Sequence, residues 1–150
     1  MTGKEVHPMK FTKMQGAGND FIVLDNRSGE IRENEYSALA ARLCRRRLSI
    51  GADGLMIVLP AQGIGDYAMR FYNSDGSLGE MCGNGARCIA RYGYDRGLAG
   101  DIQRIETTAG IVVGQRIEED LYCVRLNDPT AVETEIGIPW DGQILSVSYM

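Results

Sequence analysis

The chain has 150 residues, of which 44% are hydrophobic and 24% are charged, and it carries a formal net charge of −4. This length and composition predict one folded domain of ordinary size and argue against intrinsic disorder. The acidic balance argues against a general nucleic-acid binder, and no apolar run approaches the roughly 18 residues that a membrane-spanning helix needs.

The first half of the chain alternates strand patterns with one amphipathic helix. Asn34 is a good N-cap for that helix. The arginines near the end of the helix are interpreted as a solvated last turn that complements the helix dipole; they are Arg42, Arg45, Arg46 and Arg47. In chain order the predicted elements are two strands joined by a glycine-rich turn within residues 10–26, a helix at 34–47, a turn followed by a strand within 51–60, and a strand at 67–72 that runs into a turn at 73–76.

The second half begins with another helix pattern, which starts at Gly83 and stops at Gly97. The residues that share one face of this helix are Ala86, Ile89, Ala90 and Gly93. Residues 102–127 then predict strands separated by an acidic turn at 118–120, and residues 144–150 predict a last apolar strand. Many short strands with two main helices indicate an α+β fold.

The four cysteines are Cys44, Cys82, Cys88 and Cys123. Their spacing matches no structural zinc motif, the single histidine is His7, and residues 1–8 lack the apolar stretch of a secretory signal. Neither a metal site nor a disulfide framework is therefore predicted. Cys44 and Cys123 are interpreted as small buried hydrophobes, and Cys88 as a core residue that faces away from Cys82.

Cys82 differs because it stands at the start of the second predicted helix, beside Gly83 and Gly85. Unsatisfied N–H groups at a helix start form a binding site for an anion such as a carboxylate, and the same groups favour a reactive thiolate. A buried structural cysteine at a tight turn fits the same residues, so the pattern alone leaves both interpretations open. A phosphate-binding loop motif is absent, and a cysteine-protease site would need a histidine partner within the core.

Four linked motifs resemble those of the diaminopimelate epimerase family, in that family's order and spacing. They are GAGNDF at residues 16–21, GADG at 51–54, NSDGS at 73–77 and MCGNGARC at 81–88. The resemblance implies a curved, mostly antiparallel sheet wrapped around a central helix, which is the helix that begins near Gly83. It also implies a domain over residues 10–150, preceded at 1–9 by an N-terminal extension that is either disordered or tag-derived.

The resemblance implies a cofactor-independent and metal-independent enzyme of the cytoplasm that interconverts LL- and meso-diaminopimelate in lysine biosynthesis. Two cysteines on opposite faces of the α-carbon serve as base and acid in this family, and Cys82 matches one of them. Gly83 and Asn84 match positions whose backbone groups bind the α-carboxylate. Asn19 and Asn73 match asparagines that contact the substrate, although asparagine is also common in turns.

Residues next to these positions are assigned supporting roles. Asp20 and Phe21 are interpreted as residues of the loop and the core. For Arg87 two roles stay open, either orienting its neighbours in the site or lying at the helix surface.

The chain departs from the family after Cys88, because nothing there resembles the motif of the second catalytic cysteine. The resemblance therefore implies that this chain is the N-terminal half of a protein about twice as long. Its implied partners are a small-molecule substrate, the missing C-terminal half and, in a homodimer, a second copy. Such a half is expected to be inactive alone. Two alternatives remain: half of a related two-thiol racemase with another substrate, such as histidine, and a non-catalytic binding or assembly domain.

Overall fold

The computed structural model describes residues 8–126, 128 and 132–149. The predicted extension at 1–9 lies mostly outside the described residues, and so do the ends of the predicted strands at Asn127 and Met150. Neither described helix has the length and apolar character that a membrane crossing requires.

One mixed sheet of eight strands forms the body of the described chain. Its members are β1 (Thr12–Gly16), β2 (Asn19–Asp25), β3 (Gly54–Leu59), β4 (Tyr67–Asn73), β5 (Leu78–Gly79), β6 (Ile102–Thr107), β7 (Gly110–Arg116) and β8 (Tyr122–Arg125). They lie in the order β1-β2-β3-β4-β6-β7-β8, with β5 paired to β4. The pairs β2–β3 and β4–β6 are parallel and the other pairs within this sheet are antiparallel, which confirms the mostly antiparallel prediction.

Helix α2 (Gly83–Asp95) lies inside the curve of this sheet. It contacts β1 and β2 at one edge of the sheet and β6, β7 and β8 at the other, so the sheet wraps around it as predicted. The buried face of α2 includes Ile89, which is fully buried, and the predicted stop is confirmed because Gly97 has a positive φ of 65° just beyond the helix. Burying an isoleucine side chain contributes about 2 kcal/mol, so this apolar face holds the helix in the sheet.

Strand β2 is buried on both faces, which explains its continuous apolar run. Phe21 and Val23 belong to the core cluster that contains the buried residues of α2, while Ile22 and Leu24 belong to a second cluster on the opposite face. Helix α1 (Tyr36–Leu43) covers that second cluster. The sheet therefore separates two cores, one under each helix.

Helix α1 is shorter than the predicted helix at 34–47. Residues 33–35 form a single 3-10 turn, so Asn34 is not the N-cap, and the helix ends at Leu43. Beyond that point the backbone turns back, because the N–H of Gly51 donates to the carbonyl of Leu43 at 3.0 Å and the N–H of Ala52 to that of Cys44 at 3.1 Å. Arg45, Arg46 and Arg47 therefore lie in the returning loop and not in a last helical turn.

A separate hairpin ends the described chain. Its strands are β9 (Glu133–Trp140) and β10 (Gln143–Tyr149), which pair with each other in a two-stranded sheet. The predicted last strand is confirmed by β10, whereas β9 was not predicted. The missed signal is the Asp141–Gly142 dipeptide, which takes positive φ at both positions, as a tight hairpin turn requires.

Candidate active site

Four segments that carry the family-like motifs meet at one end of the large sheet. Gly54 at the start of β3 pairs with Phe21 of the parallel strand β2 and with Asn73 at the end of the antiparallel strand β4. The start of α2 reaches the same place, because Asn84 contacts Asn19 at the beginning of β2. Residues that are up to 65 positions apart in sequence therefore share one site.

The N-terminus of α2 is built around Cys82. This residue is the N-cap, with an extended backbone at φ −136° and ψ 112°, and its Sγ accepts a hydrogen bond from the N–H of Gly85 at 3.5 Å. Within the described part of the chain, the N–H groups of Gly83 and Asn84 have no hydrogen-bond acceptor. A half-buried thiol thus stands beside two free donors at the positive end of a helix.

The side chains of Asn19 and Asn84 join this helix start to the sheet. Asn84 Nδ2 donates to Asn19 Oδ1 at 2.7 Å, and Asn19 Nδ2 donates to Asp53 Oδ2 at 3.1 Å. Arg87, one turn further along α2, donates to Asn84 Oδ1. Of the two roles left open for Arg87, the structure therefore favours orienting a neighbour in the site.

Asn73 lies at the same end of the sheet but has a separate set of partners. Its side chain is exposed, and its Nδ2 donates to Ser77 Oγ at 2.9 Å within the turn that follows β4. No hydrogen bond between described residues joins it to Cys82, Asn19 or Asn84. The structure therefore brings three of the predicted positions together around Cys82 and places Asn73 next to them, in the turn.

An ionic cluster behind Asn19 was missed by the sequence interpretation. Arg46 donates to Asp20 at 2.6 Å and to Asp53 at 2.8 Å, and Lys13 lies 2.9 Å from Asp20. The interpretation of Arg46 as a solvated helix end is therefore wrong. Asp53 lies seven positions and Asp20 lies 26 positions from Arg46, and neither is a spacing at which side chains contact each other on a helix, so no local pattern pointed to this contact.

This cluster holds both carboxylates in their charged form. Arg46 and Lys13 keep the pKa of Asp20 well below its ordinary value, and hydrogen bonds from Asn19, the Asp20 N–H and Arg46 lower the pKa of Asp53. The Arg46 side chain is 58% exposed, so water and salt screen its ion pairs and each contributes little to folding. The main effect of the cluster is to fix the position of Asp53 beside Asn19.

The other cysteines occupy different environments. Cys44 and Cys88 are buried as predicted, and burial raises the pKa of both thiols. Cys123, however, is exposed, so its interpretation as a buried hydrophobe is wrong. Side chains alternate on β8, and Tyr122 takes the buried position, which leaves Cys123 on the outer face. The described residues contain no cluster of three or more metal-ligating side chains.

Alkylation kinetics will distinguish these thiols. We expect iodoacetamide to modify Cys82 at least about tenfold faster than Cys44 and Cys88, because Cys82 is half-exposed at a helix start and the other two are desolvated. Site-resolved mass spectrometry over a time course measures each rate. Cys123 is the matched control for access alone: a Cys82 rate below that of Cys123 would argue against activation by the helix start.

Comparison with known protein sequences shows one consistent relationship. The sequence model of a family described as diaminopimelate epimerase matches residues 11–131. The diaminopimelate epimerase of Pelotomaculum thermopropionicum is 40% identical over 139 residues, which cover 89% of this chain and 49% of that protein. That of Caldanaerobacter subterraneus subsp. tengcongensis is 47% identical over 113 residues, covering 75% and 39%. The chain spans about half the length of the curated relatives it matches, or less.

Solved structures show the same fold at low sequence identity. A hydroxyproline epimerase from Agrobacterium vitis superimposes with a TM-score of 0.66 at 13% identity, over 93% of this chain and 48% of that one. The likeness confirms the α+β fold with its curled sheet. At this identity it concerns the fold alone.

Proposed function

Because this chain belongs to the diaminopimelate epimerase family, we propose that it supplies one half of an amino-acid epimerase. The reaction is inversion at the α-carbon of LL-diaminopimelate to give the meso isomer. The observation that carries the proposal is the thiol of Cys82 at the N-cap of α2, beside the N–H groups of Gly83 and Asn84, which have no acceptor among the described residues.

An amino-acid α-hydrogen is very weakly acidic, so inversion needs a base on one face of the carbon and an acid on the other. In the proposed mechanism the Cys82 thiolate takes the α-proton and becomes a thiol, leaving a carbanion. A second thiol on the opposite face gives its proton to that carbon and becomes the thiolate. The reverse reaction exchanges the two roles, and no cofactor or metal takes part.

In this mechanism the N-terminus of α2 binds the substrate's α-carboxylate. The N–H groups of Gly83 and Asn84 would bind the α-carboxylate, into which the carbanion's charge spreads, and stabilise it more strongly as the charge develops. Asn19 is held by Asp53 at the edge of the same site, and Asn73 stands at the end of the neighbouring strand. We assign both asparagines to contacts with the rest of the substrate.

The second thiol is assigned to the half that this chain does not contain. Cys44 and Cys88 are buried, and Cys123 is exposed on the outer face of β8. The chain alone is therefore expected to be inactive. Action in the cytoplasm and assembly into a homodimer stay predictions of the family resemblance.

The test compares two proteins. One is this 150-residue chain, and the other is a longer chain that continues to the length of the curated relatives and is called the full-length protein. Both are incubated with LL-diaminopimelate in D2O, and NMR follows deuterium at the α-carbon and formation of the meso isomer. We expect exchange by the full-length protein and none above background by the 150-residue chain.

Each other outcome points to a defined alternative. Exchange by the short chain that disappears in Cys82→Ala would show that one half suffices. Full-length activity on histidine but not on diaminopimelate would favour a related racemase. Absence of exchange with every amino acid would favour a binding or assembly domain.

A further inference from the structure

A continuous chain of hydrogen bonds runs from α2 to β3 through the two asparagines of the site. Arg87 donates to Asn84 Oδ1, Asn84 Nδ2 donates to Asn19 Oδ1 at 2.7 Å, and Asn19 Nδ2 donates to Asp53 Oδ2 at 3.1 Å. We call this series of hydrogen bonds the amide relay. In every one of its bonds the donor lies on the side of the arginine and the acceptor on the side of the carboxylate.

The two ends of the relay determine this direction. A guanidinium can only donate hydrogen bonds and an ionised carboxylate can only accept them, whereas an asparagine amide can present either its oxygen or its nitrogen. If Asn84 and Asn19 turned over together, nitrogen would face Arg87 and oxygen would face Asp53. Both end contacts would then be repulsive, so only one amide orientation is stable.

Asp53 is held firmly enough to act as an end point. Its carboxylate also accepts from the Asp20 N–H at 3.0 Å and from Arg46 at 2.8 Å, and its own N–H donates to the carbonyl of Asp20 at 2.9 Å. Arg87 lies on α2, one turn from Asn84, so its guanidinium is within reach of that amide. Asp53 therefore cannot leave the relay without breaking its other contacts.

We propose that Arg87 and Asp53 are positioning residues that set the amide orientation of Asn84 and Asn19. In this orientation each amide nitrogen uses one of its two hydrogens for a hydrogen bond within the relay. The other hydrogen remains available to bind a ligand. A carboxylate oxygen of an amino-acid substrate is an acceptor that each of these N–H groups can bind. The inference deepens the proposed function and rests on it for the identity of the ligand.

The test is a double-mutant cycle in the full-length protein with Asp53→Asn and Arg87→Gln. Each single variant keeps one end that allows only the native direction, so we expect each to raise KM for diaminopimelate by no more than about fivefold. In the double variant both ends accept either orientation. We expect its KM to exceed the product of the two single effects by about tenfold, with a smaller change in kcat.

Arg46→Gln provides the matched control, because it removes a charge partner of Asp53 and leaves all relay bonds in place. Combined with Arg87→Gln, it is expected to give only the product of the single effects. Coupling of similar size in this control pair would overturn the proposal, since general weakening of the site would then explain the result.

A spectroscopic measurement separates this proposal from the proposed function. With ¹⁵N-labelled asparagine, the side-chain signals of Asn19 and Asn84 should appear as one set in the parent protein and the single variants. In the double variant they should split or broaden. If the parent protein has no activity, the proposed function fails, and these spectra still test the relay. An additive cycle, or one unchanged set of signals in the double variant, would overturn the relay.

Discussion

Cys82→Ala in the full-length protein is expected to lower the rate of α-hydrogen exchange on diaminopimelate by about 10³-fold, in line with the usual contribution of a general base. The replacement removes the only proposed proton acceptor on that face of the α-carbon. It also removes the Sγ that accepts the Gly85 N–H at 3.5 Å, but sulfur is a weak acceptor, so this bond contributes little to folding.

The measurement is deuterium uptake from D2O, followed together with thermal unfolding of each variant. Cys123→Ser is the control, because that thiol is exposed on β8 and has no role in the proposed chemistry. We expect the control to keep its exchange rate and both variants to keep their midpoint within a few degrees. A Cys82→Ala variant that exchanges the α-hydrogen within tenfold of the parent rate would remove Cys82 from the mechanism.

Gly93→Ala is expected to destabilise the chain by about 3 kcal/mol. Alanine normally stabilises a helix relative to glycine by about 1 kcal/mol, so the expected sign is opposite to helix propensity. The reason is the close approach of α2 to the sheet. A Cβ at Gly93 would lie 2.4 Å from Tyr67 Oη and 2.6 Å from Gln103 Oε1.

Those two atoms belong to a fully buried polar network that cannot easily move. Tyr67 Oη donates to Gln103 Oε1 at 2.7 Å, and Gln103 Nε2 donates to the carbonyl of Ala90 at 2.7 Å. Displacing either side chain would leave a buried polar group without its partner, which costs about 1–3 kcal/mol. The added methyl group therefore forces either a shift of α2 or a broken network.

Urea denaturation of the two variants measures this effect. Gly100→Ala is the matched control, because a Cβ at Gly100 would meet no atom within 4 Å. We expect the control to change the free energy of unfolding by less than about 1 kcal/mol. An unchanged midpoint for Gly93→Ala would mean that α2 can move away from Tyr67 at little cost, contrary to the packing described above.

Much of the fold could be predicted because the relevant signals are local. The alternating and continuous apolar runs predicted β2, β3 and β4, and the spacing of Ala86, Ile89 and Ala90 predicted α2 with its buried face. The errors lie where distant contacts overrule a local pattern. Helix α1 ends at Leu43 because Gly51 and Ala52, which return from the loop, take up its last carbonyl groups.

The site divides in the same way. Cys82, Gly83 and Asn84 are neighbours in sequence, so a helix start with a thiol and free N–H groups was predictable from composition and spacing alone. The family resemblance added Asn19, although nothing local brings it to Asn84. The contacts of Asp53 and Arg46 were not predicted, because local sequence does not show which of several charged residues the loop between α1 and β3 will bring together.

The sequence by itself determined the α+β fold, the helix that carries Cys82 and the membership of a family. Short-range periodicity, capping and turn preferences act within a few residues, and the linked motifs are visible without coordinates. Only the tertiary structure decided that Cys123 faces outward, that Arg46 supports Asp53, and that two asparagines form one directed relay. The first depends on the pairing of β8 with β7, the second on the loop that returns from α1 to β3, and the third on the position of α2 in the sheet, which brings Asn84 to Asn19.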